Sequence, residues 1–281
     1  RGEAWPAGDL CVLAHAYAHG LGRDARGELF DALRDRLDDV TLLHLSVGEL
    51  ASVANSFSKL SQAADLGYLD LFSRLGRQLA DACEGLGLRD ACVALNAFAQ
   101  SSIRHERLFL ELERLLPARL HDRECDMRQL AMMAHAHVRV SLSRSSLLPL
   151  VWDRARDLAP QSDAHGLSLA LFALTKASAV CTPSGRALVA EIGKQLLGLL
   201  SGSSHHVGRG VVEPATIAVT AYSLARGGCI GIVEPALWSA LALQSKAVLS
   251  RLSLTEAANV LAAFAKVAKT EPVEAALARS S

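Results

Sequence analysis

The sequence predicts an all-α protein, an α-solenoid of about seven helix–turn–helix repeats with a period near 40 residues. Three observations predict it. A similar segment recurs down the chain, with an anchor residue reading Tyr17, Phe57, Phe98, His137, Leu174, Leu224 and Phe264. The anchors are spaced by 40, 41, 39, 37, 50 and 40 residues. An apolar doublet follows each of the first six anchors by eleven to fifteen residues, at the place a second helix would occupy. A unit of this length cannot bury its apolar stripe alone, and stacking like units buries it.

The first repeat (9–45) opens with DLCVLAHAYAHG, where Leu10, Leu13, Ala14 and Tyr17 fall at i, i+3, i+4 and i+7. Its second helix begins at Leu29-Phe30 and continues through Leu33 and Leu37. The second repeat (46–87) starts on a capping box, Ser46-Val-Gly-Glu49, and runs through ELASVANSFSKL to Leu71-Phe72, Leu75 and Leu79. In the third (88–124), DACVALNAFAQS is answered by Leu108-Phe109; in the fourth (125–161), QLAMMAHAHVRV by Val151-Trp152. The fifth (162–212) pairs GLSLALFALTKA with Leu188-Val189. It also holds SGSSHHVGRG at 201–210, a loop that accounts for the one long interval. The sixth (213–252) places Pro214 in a first turn after Glu213, then TIAVTAYSLARG and Leu237-Trp238. The seventh (253–281) has a second capping box, Ser253-Leu-Thr-Glu256, then EAANVLAAFAKV and a short second helix within PVEAALARSS. The residues just after the anchors, among them Ala18, Ser58, Ala99 and Ala225, are small and would let the second helix approach. Length alone suggests two domains; the repeat replaces that with a single array over 1–281.

Composition excludes several classes. Hydrophobic residues make up 51% of the chain, too many for disorder. No apolar run nears the ~20 residues of a membrane span. Six cysteines without a CxxC pair fit neither a disulfide scaffold nor a zinc ribbon, and read as reduced core residues. The chain begins at Arg1 without Met, as a processed or trimmed product would, and residues 1–8 hold no apolar signal core.

Enzyme signatures are missing: no GxxxxGK[ST], GxSxG, HExxH or GxGxxG occurs, so no catalytic residue and no cofactor are expected. The glycine-rich run from Arg226 to Gly231 reads as a helix C-cap. Cys11, His15 and His19, or His135 with His137, or His205 with His206, give no complete ligand set, so no metal site is expected. Asp38-Asp39 and the HDRECD stretch at 121–126 read as turns and N-caps.

One column stands out. Two residues after each anchor stand His19, Lys59, Gln100, Arg139, Lys176, Arg226 and Lys266. Four residues earlier, on the same helix face, lie His15, Asn55, Asn96, His135, Phe172, Tyr222 and Ala262. The first column could meet RNA phosphates, and Asn55, Asn96, His135 and Tyr222 of the second could hydrogen-bond or stack on bases. A helix-end cation is also favoured by the macrodipole alone, by about 0.3–1 kcal/mol. Both readings of the column are open at this stage.

The copies ELASVANSFSKL, DACVALNAFAQS and EAANVLAAFAKV, with LF-type second helices, resemble the octotricopeptide and heptatricopeptide repeats and the related helical repeats of FASTK and RAP-domain proteins. The likeness runs from about residue 9 to 278; the sequence contains no RAP domain. It implies a non-enzymatic organellar RNA binder in the mitochondrial matrix, ahead of a plastid or the cytosol. The implied partners are RNA, above all rRNA, and other ribonucleoprotein subunits such as those of a mitochondrial ribosome, with no membrane and no small-molecule substrate. The alternative is a HEAT- or armadillo-like protein–protein scaffold without direct RNA contact.

The charge balance of 29 Lys+Arg against 29 Asp+Glu would disfavour a nucleic-acid binder if it were uniform. It is not. Residues 1–160 carry 19 basic and 22 acidic side chains, and residues 161–281 carry 10 and 7.

Overall fold

A computed structural model describes residues 6–20, 27–61, 68–142, 145–202 and 212–270. Among these residues the chain is helical, with no strand. Seven helices carry the anchors: α1 (Ala7–Gly20), α4 (Val47–Ser61), α6 (Leu88–Gln100), α8 (Met127–Arg139), α10 (Ala164–Lys176), α12 (Pro214–Arg226) and α14 (Leu254–Thr270). Six carry the doublets: α2 (Gly27–Arg36), α5 (Leu69–Asp81), α7 (Glu106–Arg119), α9 (Leu147–Leu158), α11 (Pro183–Leu200) and α13 (Pro235–Ala247). A short extra helix, α3 (Asp39–Leu43), follows α2. The second helix expected within PVEAALARSS, and the loop over 203–211, lie outside the described residues.

Helix starts follow the local chemistry. In both expected capping boxes the serine amide and hydroxyl donate to the glutamate, 2.8 and 2.7 Å at Ser46–Glu49 and 2.8 Å each at Ser253–Glu256. The glutamate amide donates back to the serine oxygen at 3.3 Å in each. Asp126 and Gln129 build a third reciprocal box at 2.8 and 2.9 Å, and Asp38 accepts the Thr41 amide at 2.7 Å to start α3. These bonds favour the ionised acids, so Asp38, Glu49 and Glu256 are held below the usual carboxylate range, chiefly by the donors from Thr41, Ser46 and Ser253.

Helix ends share a further feature. Ser102, Ser141, Ser178 and Gly228, each four residues past an anchor, sit in the left-handed region at φ 57, 64, 54 and 69°. At three of them the next amide reaches back to the anchor carbonyl: Ile103 to Phe98 at 2.9 Å, Leu142 to His137 at 2.7 Å and Cys229 to Leu224 at 2.9 Å. This is the Schellman closure, repeated at one register.

The chain divides into two compact units, Arg1–Cys125 with His135–Leu150, and Asp126–Ala134 with Val151–Ser281. In the first, α4 packs on both α1 and α6, α5 packs on α7, and α3 lies against α5. In the second, α12 packs on both α10 and α14, and α11 packs on α13. First helices therefore meet first helices, and second helices meet second helices.

One aromatic joint occurs three times in the first unit and once in the second. The doublet aromatic of a second helix stands edge-on to the anchor of the following first helix. Ring centroids are 5.0 Å apart at Phe30–Phe57, 5.1 Å at Phe72–Phe98, 5.7 Å at Phe109–His137 and 5.8 Å at Trp238–Phe264. Such pairs add about 0.5–1.5 kcal/mol beyond area burial. The small residues after the anchors face a different neighbour from the one expected. The Ser58 hydroxyl donates to Gln100 Oε1 at 3.3 Å, and the Thr175 side chain abuts Gly227. The small column therefore admits the following first helix rather than the second helix of its own repeat.

Candidate nucleic-acid interface

The basic column occupies the last turns of the first helices, since Gln100, Arg139, Lys176 and Arg226 are the final residues of α6, α8, α10 and α12. Their height on the helix is set from above by the left-handed residue two positions later, and from below, in α8 and α10, by the N-caps Asp126 and Asp163. The His19 side chain lies outside the described residues.

In the first unit the column members approach one another. Lys59 is half-buried near the end of α4, and desolvation pushes its pKa down. Beside it, Ser58 reaches Gln100, and the carbonyl of Gln100 accepts a hydrogen bond from Arg139 Nη2 at 3.0 Å. That carbonyl is among the last four of α6, which have no intrahelical partner. Arg139 therefore caps the C-terminus of the preceding first helix while the rest of its guanidinium stays exposed. Asn55, Asn96 and His135, of the second column, are half-buried one turn earlier.

In the second unit the two columns pair along single helices. The Lys176 ammonium stands 5.3 Å from the centroid of Phe172, and the Arg226 guanidinium 5.6 Å from that of Tyr222. Arg226 also donates to the Tyr222 hydroxyl. Each pair is a cation lying over an aromatic face, worth about 0.5–1 kcal/mol at an exposed site. Lys266 is exposed on α14, where the second-column position is Ala262 and offers no ring. Among the described residues Arg139, Lys176, Arg226 and Lys266 take part in no ion pair. Arg74–Asp70, Arg107–Asp81 and Arg128–Asp163 are examples of where the pairs fall instead.

The comparison with known proteins is short. No protein-family model matches the chain, and no curated protein matches it in sequence.

The other candidate groups do not assemble into a site. Among the described residues no three His, Cys, Asp or Glu side chains are placed to hold a metal ion. Cys11 is buried, with its thiol donating to the Glu49 carbonyl at 3.7 Å, while His15 is exposed. His137 is fully buried against Phe109, its Nε2 3.4 Å from Glu113 Oε1, whereas His135 is only half-buried. His205 and His206 lie outside the described residues. Five of the cysteines are buried and Cys181 is exposed, a departure from the expectation of core thiols throughout. Burial pushes the Cys229 thiol up to about 11.

Two features of this surface escape the sequence reading. The main-chain acceptor for Arg139 has no side-chain signature. The stacking of Lys176 on Phe172 and Arg226 on Tyr222 does have one, an aromatic four residues before a cation on a helix. Both members of each pair stand in the sequence, in separate columns.

Proposed function

We propose that the chain is a non-enzymatic RNA-binding α-solenoid of about seven helix–turn–helix repeats. It would work in the mitochondrial matrix within a larger ribonucleoprotein such as the mitochondrial ribosome, contacting rRNA and neighbouring proteins. The observation that carries this reading is the pairing of an exposed cation with an aromatic ring, Lys176 on Phe172 and Arg226 on Tyr222, at one height on successive first helices of a unit. A guanidinium beside a ring offers a charge to a phosphate and a flat face to an unstacked base. The solenoid part is supported by first-helix and second-helix contacts recurring within each unit. The organellar setting rests on the likeness to octotricopeptide-type repeats. The near-zero net charge favours an embedded subunit over a free-standing binder.

The test is binding of a structured RNA by fluorescence anisotropy across a salt series. Each phosphate contact contributes ~0.7–0.9 to the slope of log affinity against log salt. The triple variant Arg139→Gln, Lys176→Gln, Arg226→Gln should therefore bind more weakly, with a slope shallower by about 2. Unchanged affinity and slope would remove the basis for this interface.

A second reading, a protein–protein scaffold, is favoured by one specific contact. Arg139 already caps the α6 carbonyl of Gln100, which accounts for a helix-end cation without RNA. On that reading the three charges could be removed without affecting what the protein holds, and native co-purification would yield protein without nucleic acid.

A further inference from the structure

Three helices of the first unit meet at one imidazole. His105, in the turn between α6 and α7, starts α7 by accepting the Leu108 amide on Nδ1 at 3.2 Å. Its half-buried ring stands edge-on to the anchor Phe98 of α6, with centroids 6.1 Å apart. It also lies against Gly76 of α5, where a Cβ would come within 2.4 Å of the ring. The start of α5 shows that stacking and capping are separable tasks. There Tyr68 stands edge-on to its anchor Phe57 at 5.2 Å and makes no capping bond. At α7 one side chain performs both.

Nδ1 can accept only while the ring is neutral, with its proton on Nε2. A second proton turns the acceptor into a donor aimed at the Leu108 N–H, and sets a positive charge at the positive end of the α7 dipole. Arg77 of α5 and Arg107 of α7 face the ring with charge of the same sign, while α6 brings Phe98. Of the neighbouring carboxylates, Glu106 is paired with Arg104 and Asp81 with Arg107. Burial pushes the His105 pKa down, the two guanidinium groups add to that, and its own backbone opposes it. Oxygen caps do not share this response. The hydroxyls of Ser46, Thr182 and Ser253 remain acceptors across this range, and Asp38 and Asp163 titrate lower.

We propose that His105 is a pH-operated clasp, which in its neutral form holds the first turn of α7 closed onto α5 and α6 and releases it when protonated. Phe109 ends that turn and stands edge-on to His137 of α8, so the clasp also steadies the next aromatic joint. The folded pKa lies below the unfolded value of about 6.5. The clasp therefore contributes fully above that pH and is lost as pH falls through the folded value. It goes beyond the RNA-binding reading and does not depend on it.

Amide hydrogen exchange of the 281-residue chain, followed by NMR as protection factors at about pH 7.5 and about pH 5, tests it. Protection of Leu108 should fall roughly tenfold between the two, against an unchanged Thr41, whose cap is Asp38. At the higher pH the imidazole nitrogen spectrum should show His105 as the Nε2–H tautomer. His105→Asn keeps an acceptor at the cap that does not titrate, and should abolish the drop. Equal Leu108 protection at both pH values overturns the proposal, and so does an Nδ1–H tautomer. A drop that persists in His105→Asn assigns it to another group and overturns it too, as does an equal fall at Thr41, which would mark global unfolding. Should the asparagine variant fail to fold, titration of His105 in the wild-type chain decides, a midpoint at or above about pH 6.5 again overturning the clasp.

Discussion

At the scale of single residues, the serines at the ends of α6, α8 and α10 carry a cost that a glycine would not. Ser102, Ser141 and Ser178 hold the left-handed conformation that Gly228 holds after α12. A side chain there costs about 1–2 kcal/mol, and the greater freedom of glycine in the unfolded chain returns part of any gain. Ser102→Gly, Ser141→Gly and Ser178→Gly should each raise stability by ~0.5–1 kcal/mol in urea denaturation. Lower stability in all three would show that the serine side chains contribute more than the backbone loses. These closures were not legible in the sequence because serine is not the residue expected there; only the Arg226–Gly231 run advertised its turn. The anchors themselves were legible one by one. What His137 faces was not, since Glu113 is a long-range neighbour with no fixed spacing.

At the scale of elements, helix positions were legible because two signals agreed, the 3.6-residue apolar stripe and the chemistry of the starts. The short α3 was not, since five residues are too few to show a period. Nor was the pairing of α5 with α7 and of α11 with α13, which no local spacing encodes. Close approach at these contacts is controlled by small residues: a Cβ at Gly76 of α5 would lie 2.4 Å from the ring of His105. That imidazole accepts the Leu108 amide at 3.2 Å to start α7, and burial pushes its pKa down. The aromatic joint gives the sharpest prediction at this scale. Phe72 is fully buried and edge-on to Phe98, so Phe72→Ala should cost ~3–5 kcal/mol in chemical denaturation. A cost below ~1 kcal/mol would mean that the joint is not where the neighbouring elements hold together.

At the scale of the whole molecule, neutrality at pH 7 conceals a set of carboxylates bound at helix starts. Asp38, Glu49, Asp163 and Glu256 have lowered pKa values, through donors from Thr41, Ser46, Gly166 with Arg128, and Ser253, although burial opposes the shift at Asp163. Their folded pKa lies below the unfolded value of about 4, so the unfolded chain takes up protons first as pH falls. The stability they contribute is fully present above about pH 5 and is lost as pH drops through the unfolded value toward the folded ones. The midpoint of thermal unfolding should therefore fall between about pH 4.5 and 3 through these carboxylates, in addition to the loss that sets in below about pH 6.5 as the unfolded chain protonates His105. Replacing Ser46 and Ser253 with Ala should shrink that fall; an undiminished fall would place the acid-sensitive groups elsewhere. The net charge alone could not have shown this, because it counts carboxylates without saying which ones hold a helix.

The phase of the aromatic joint also bears on how the chain can be cut and rejoined. Phe57, Phe98, His137 and Phe264 each take a ring partner from the repeat before, and Phe57 and Phe98 also meet Tyr68 and His105 of their own repeats, so a cut at a repeat boundary severs one half of the joint. A segment excised at a repeat boundary, beginning at Leu88, keeps Phe98 and leaves Phe72 behind. One shifted by half a repeat, from Leu69 to Gln100, keeps both rings. For grafting or recombining pieces of this chain, the natural cassette is a second helix followed by the next first helix.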